Sequence, residues 1–140
     1  MNQVESLIPH KEPFLFVDEV ISANEEEIIG IKTFDRSLFL QGHFPDNPIV
    51  PGVVLVESMA QCGGAGLRKQ GKIAGDALYG LAALDDVQFL GRVEAGKVVK
   101  MVVHTARISS SAIKQSGIAY CNGKAVAKAT WICVKLNGVS

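Results

Sequence analysis

The order of apolar and polar positions divides the chain into short extended runs on either side of one long apolar segment. Residues 1–12 form a polar-apolar lead with one helical turn expected around Val4–Leu7, ended by Pro9. Phe14-Leu-Phe-Val-Asp-Glu-Val-Ile21 is rich in β-formers and predicts a strand with an apolar face. Asn24 and the acids Glu25–Glu27 mark a turn, and Ile28–Phe34 returns as a second strand. That acidic run reads as solvated turn and strand edge rather than as a metal site.

Asp35–Leu40 then leads into Gln41–Gln61, QGHFPDNPIVPGVVLVESMAQ, the stretch with the most unusual chemistry in the chain. It opens as a loop with one histidine and three prolines and runs into a segment predicted to be helical from Gly52 to about Gln70. Pro51 suits a first-turn position, where its missing N–H costs nothing. Gly71 is a C-terminal stop, and Arg68 and Lys69 suit the negative end of the helix dipole. Apolar or small residues lie all round this segment, unlike the one-sided stripe of a surface helix. At roughly 27 Å it is long enough to run through the middle of a small domain. Glycines at 63, 64 and 66 weaken it by up to about 1 kcal/mol each, tolerable where another backbone comes close.

After a break at Gly71–Asp76 the pattern is all β: Ala77–Leu90, Lys97–Ser109, Ile113–Cys121 and Lys124–Leu136. The last two flank Asn122-Gly123, a two-residue hairpin signal, because both turn positions need φ > 0. Both faces of the last strand carry mostly small or apolar residues, which predicts a sheet covered on both sides. The architecture is therefore α+β: one long central helix wrapped by a curved antiparallel sheet, with edges and an outer surface that a partner subunit could cover.

Composition narrows the class. At 140 residues the chain reads as one domain, 1–140, with a real core. Lys+Arg and Asp+Glu are 14 each, so net charge asks for neither nucleic acid nor an anionic membrane. The N-terminus lacks a basic region followed by an apolar core, and no apolar run approaches the roughly 18 residues of a membrane span. The three cysteines have no metal spacing and are odd in number, as expected of reduced thiols in a cytoplasmic protein.

The chemistry concentrates in residues 42–61. His43 can act as a base near neutral pH. Glu57 stands about five residues into an apolar helix, where burial disfavours its charge and keeps a proton available. A base and an acid with preferences pushed apart in this way are an acid–base pair in one dry site. The helix start at Gly52–Val53 offers unpaired N–H groups to a carbonyl gaining enolate character, and Gly52 lets a substrate approach the backbone. Such a set suits proton abstraction beside a carbonyl with loss of a group one carbon further on. Metal binding is disfavoured, because no second His or Cys stands at ligand spacing. Gln61, one turn after Glu57 on the same face, could orient the acid. His10 and His104 read as structural.

LIPHKEPFLFVDEV (7–20), GHFPDNPIVPGVVLVESMAQ (42–61) and LDDVQF (84–89) resemble the β-hydroxyacyl-acyl carrier protein dehydratases. The resemblance implies a hotdog fold, dimers whose sheets join, commonly assembled as trimers of dimers, and sites shared between subunits. It implies removal of water from a (3R)-3-hydroxyacyl thioester to give the trans-2-enoyl thioester, in fatty-acid or related lipid or polyene synthesis, without metal or organic cofactor. Carried over residue by residue, the base is His43, the acid is Glu57, and the N–H that holds the thioester carbonyl is that of Gly52, with help from Val53. Phe14, Phe44 and Pro51 match positions near the acyl tunnel. Tyr79 precedes the strand similar to the tunnel-gating segment, with a core role as the equal reading.

Where the family usually has a basic, proline-containing turn, this chain has Leu90-Gly-Arg-Val-Glu-Ala-Gly-Lys97. Arg68, Lys69, Lys72, Arg92 and Lys97 are the candidates to meet the acidic carrier protein. The alternatives are a hotdog thioesterase, which needs no base histidine, dehydration coupled to double-bond isomerisation, and a non-catalytic acyl- or carrier-protein-binding module.

Overall fold

A computed structural model of the chain describes residues 3–35, 42–44 and 46–137. Gln41, Pro45 and most of the expected connection at 35–40 lie outside the described residues. Helix α1 (Gln3–Leu7) is followed by β1 (Glu19–Ala23), β2 (Ile28–Thr33) and the long helix α2 (Gly52–Lys69). The strands β3 (Tyr79–Phe89), β4 (Val98–Ile108), β5 (Ala112–Cys121) and β6 (Lys124–Lys135) complete the chain. Among the described residues these six strands form one antiparallel sheet in the order β1-β2-β4-β5-β6-β3. Asn122 and Gly123 carry φ of 53° and 77°, as the β5–β6 turn requires.

The helix runs through the middle as its all-round apolar character predicts. Leu55, Val56, Met59, Cys62 and Leu67 are buried against sheet residues such as Val99, Met101 and Val103. Each fully buried side chain of this size stabilises the fold by about 1.5–3 kcal/mol. Pro51 is the residue before the helix rather than its first turn, with φ −58° and ψ 139°. Gly71, at φ 73°, ends the helix as expected. Its N–H reaches the Arg68 carbonyl and the Lys72 N–H reaches the Leu67 carbonyl, the paired bonds of a Schellman motif.

The structure corrects three expectations. The Phe14–Ile21 run becomes a strand only from Glu19. Phe14 to Val17 instead lies against α2, where side chains replace a ladder. Gln61 Oε1 accepts from the Phe16 N–H, Gln61 Nε2 donates to the Phe14 carbonyl, and the Ser58 hydroxyl donates to the Phe16 carbonyl. The sheet is covered by the helix on one face only, and the other carries partly exposed Val102, Tyr120 and Ile118. Finally, what comes close to the helix glycines is side chain, not backbone. A Cβ on Gly63 would lie 2.2 Å from Gln115 Oε1, and one on Gly66 would lie 2.4 Å from Ile28 Cγ2.

Candidate active site

Glu57 lies on the face of α2 that also carries Gln61, Gly64 and Arg68, at one-, two- and three-turn spacings. Beneath that face is an apolar cavity of about 260 Å³, lined among others by Phe14, Glu57, Gln61, Tyr79, Gln115 and Cys133. Glu57 is partly exposed to it, with 22% of its side chain accessible, rather than buried among core residues as expected. Gln61 Nε2 donates to Glu57 Oε2 at 2.9 Å. Because the Phe16 N–H and the Phe14 carbonyl fix which end of the Gln61 amide is which, this donor cannot be exchanged for an acceptor. The role expected for Gln61 as the residue that orients the acid has a physical basis in these bonds.

His43 stands elsewhere. Its Nδ1 is 3.0 Å from the Ile49 carbonyl, while the Ile49 N–H donates to the His43 carbonyl at 2.7 Å. A carbonyl only accepts, so in the neutral ring Nδ1 carries the proton and Nε2 is the nitrogen left with a lone pair, the form a general base needs. The ring stacks on Phe44 with centroids 4.4 Å apart, and Phe44 is 55% exposed. Among the described residues His43 is not one of those lining the Glu57 cavity. Within one chain the expected base and acid are not brought together.

At the start of α2, Val54 and Leu55 donate to the Pro51 carbonyl. Among the described residues the N–H groups of Gly52 and Val53 have no acceptor, as expected at a helix N-terminus. The Phe89 ring stands where a side chain at Gly52 would be, 2.6 Å from its Cβ position. Only glycine leaves room for that ring. Of the expected tunnel residues, Phe14, Gln61 and Tyr79 meet Glu57 in the cavity, whereas Phe44 and Pro51 do not line it.

Further polar groups that sequence reasoning did not place there also line the cavity, among them His10, Arg68, Gln115 and Cys133. Arg68, a candidate for carrier docking, turns inward and donates to the Gly75 and Ala77 carbonyls. Its spacing of eleven residues from Glu57 was the available signal. Lys72 pairs with Glu25 at 2.7 Å. Burial, reinforced by the Glu57 carboxylate, pushes the Cys133 thiol up to about 11, so it is a neutral wall residue near pH 7. Among the described residues no three His, Cys, Asp or Glu side chains gather as a metal site, and no helix is long and apolar enough to cross a membrane.

Comparison with known proteins places this arrangement. The profile of the FabA-like domain matches residues 8–130. The chain is 35% identical over 135 residues to the 3-hydroxyacyl-[acyl-carrier-protein] dehydratase FabZ of Solibacter usitatus, covering 95% of this chain and 83% of that protein. It is 34% identical over 132 residues to the FabZ of Enterococcus faecalis, covering 92% of each. A chain of the dehydratase heterocomplex ApeI:P from Xenorhabdus doucetiae superposes with a TM-score of 0.83 at 22% identity, over 99% of this chain and 93% of that one. The fold is the hotdog fold. The chain belongs to the FabA-like family and, within it, to the 3-hydroxyacyl-[acyl-carrier-protein] dehydratases, which makes it a hydro-lyase.

Proposed function

We propose that this chain dehydrates (3R)-3-hydroxyacyl thioesters carried on acyl carrier protein, in a site built from two copies of itself. His43 Nε2 of one copy takes the C2 proton. The electron pair moves toward the thioester carbonyl, whose oxygen is held by the Gly52 and Val53 N–H groups. Glu57 of the other copy gives its proton to the C3 hydroxyl, which departs as water while the C2–C3 double bond forms. The trans-2-enoyl thioester remains, and transfer of the C2 proton from His43 back to Glu57 by way of solvent resets the site. Neither step calls for a cofactor.

The observation that carries this reading is the separation of an oriented acid, lining an apolar cavity of about 260 Å³, from a base whose Nε2 is left unbonded by the Ile49 contact. One chain holds half of each of two sites. A docking edge is at hand: β3 ends the sheet, and Leu81 and Leu84 along it are 39% and 48% exposed. Pairing of two β3 edges would join the sheets into one and cover these residues. Assembly of such dimers into a trimer, and a cytoplasmic setting beside the carrier protein, complete the reading.

The test follows enoyl formation and free thiol together, with a 3-hydroxyacyl thioester as substrate. Enoyl product without thiol release is expected; thiol release alone supports a thioesterase and refutes the dehydratase. His43→Ala and Glu57→Gln should each abolish turnover. Mixed and reassembled in equal amounts, they should recover about a quarter of wild-type activity, since half the dimers then hold one intact site of two. A mixture no more active than its components would refute the shared site.

A further inference from the structure

His10 takes no part in the reaction as written above, yet its ring lies against the acid. His10 Nε2 is 3.6 Å from Glu57 Oε2, the same oxygen that accepts from Gln61 at 2.9 Å. The two side chains converge on Oε2. Among the described residues Glu57 Oε1 has no hydrogen bond, and it is not enclosed.

We propose that His10, as the neutral Nε2–H tautomer, is a positioning residue: with Gln61 it supplies both donors to Glu57 Oε2 and so confines the acid proton to Oε1. This inference rests on the reading of Glu57 as the acid.

The tautomer follows from the surroundings of the ring. Among the described residues His10 Nδ1 is enclosed without a hydrogen-bond partner. A proton on Nδ1 would be a buried donor without an acceptor, and the Nε2 lone pair would then face the lone pairs of Oε2. A proton on Nε2 removes both penalties. Burial lowers the His10 imidazole below its ordinary range, against the pull of the Glu57 carboxylate, so the ring is neutral. Stacking on Phe14, with planes 21° apart and centroids at 6.4 Å, holds its orientation.

The consequence for Glu57 is a division of labour between its oxygens. A proton on Oε2 would point at two N–H groups, whereas a proton on Oε1 points at none. The acid proton therefore sits on the oxygen left free for the departing hydroxyl. At 3.6 Å the His10 contact is longer than a hydrogen bond. As the proton leaves, charge grows on the carboxylate and the contact shortens. The interaction is then stronger in the transition state than before it, which is the condition for raising kcat rather than lowering KM.

The test compares His10→Gln with His10→Met, two side chains of similar length of which only glutamine has a donor. Two substrates are used, a 3-hydroxyacyl and a 3-chloroacyl thioester, because chloride leaves without a proton. For the hydroxy substrate His10→Met should lower kcat by about tenfold to a hundredfold with little change in KM, the range for one donor to a charged group. His10→Gln should restore most of the loss. With the chloro substrate both His10 variants should match the wild type.

Equal losses on both substrates, or equal losses for Gln and Met, would overturn the proposal. So would wild-type kcat in His10→Met while Glu57→Gln is inactive, which leaves the acid assignment standing and removes only His10. An active Glu57→Gln on the hydroxy substrate would instead sink the underlying assignment. A readout independent of variant folding is the ¹⁵N spectrum of His10 in the wild-type protein. A protonated Nε2 with bare Nδ1 is expected, and the opposite tautomer overturns the proposal.

Discussion

Gly63 and Gly64 are neighbours on α2, and alanine should have opposite effects at the two positions. At Gly63 a Cβ would lie 2.2 Å from Oε1, 2.7 Å from Cδ and 2.9 Å from Nε2 of Gln115. That side chain cannot swing aside without loss. Gln115 is 2% exposed, accepts from Trp131 Nε1 at 3.3 Å and donates to Thr105 Oγ1 at 3.1 Å. Overpacking costs about 1–3 kcal/mol. Displacing the Gln115 carbonyl leaves the buried Trp131 N–H unpaired, for about 1–3 kcal/mol more. The better helix propensity of alanine returns about 1 kcal/mol. Gly63→Ala should therefore lose about 1–5 kcal/mol, and the middle of that range lowers Tm by roughly 10 °C in a domain of this size.

At Gly64 the nearest atom to an added Cβ is Ile8 Cγ2, at 4.0 Å. Gly64→Ala should keep the propensity gain and raise Tm by roughly 2–4 °C. Its methyl enters the cavity that Gly64 lines, so KM should rise more for long acyl chains than for short ones. Thermal and urea unfolding of both variants, with KM measured across chain lengths, decides the matter. A Gly63→Ala protein as stable as Gly64→Ala would refute the account of Gln115 as a pinned wall of the cavity.

Two other expectations concern titration around Glu57. With its thiol pushed up to about 11, Cys133 should react slowly with iodoacetamide at pH 7.5, and its rate should climb about tenfold per pH unit up to that range. Glu57→Gln removes the carboxylate that reinforces the shift and should speed the reaction; peptide mapping of the labelled protein reads both, and a rate indifferent to Glu57 contradicts the contact. The His10 imidazole is lowered from its ordinary 6.5, so the unfolded chain takes up a proton that the folded one refuses. Its contribution to stability is full above pH 6.5 and is lost as pH falls through and below that value. Urea midpoints from pH 7.5 to 5.0 should fall less steeply in His10→Gln than in the wild type, and identical slopes would count against a buried neutral ring.

Much of the frame was legible because it rests on local chemistry. The apolar circumference of residues 52–69 marks a central helix, Gly71 its end, and Asn122-Gly123 a turn that no other pairing serves as well. The Phe14–Val17 run was misread because its β-formers satisfy their backbone through Gln61 and Ser58, side chains more than 40 residues away. No periodicity reports a partner of that kind. The site shows the same limit. Glu57 and Gln61 are one turn apart and their contact follows from helix geometry, but His10 reaches Glu57 through the path of the lead segment. His43 and Glu57 are close in sequence and still belong to different places, since the loop and the helix interior lie on opposite sides of Pro51.

The position of β3 at the end of the sheet has a cost during synthesis. Leu81 and Leu84 stand among Gly80, Ala82 and Ala83 in a stretch without charge, so its free hydrogen-bonding edge can template addition of an extended segment. One register shift between Leu81 and Ala83 already disturbs the ladder, and charge arrives at Asp85, where two adjacent acids, a second shift and the positive φ of Asp86 interrupt it further. A newly released chain is thus exposed over its first strand half until that edge is taken up. If β3 pairs with a second copy as proposed, high concentration acts in two directions, hastening that pairing and hastening misassembly along the same backbone groups. A charge placed at Leu81 would suppress both, so a more soluble chain and a less assembled one would be the same molecule.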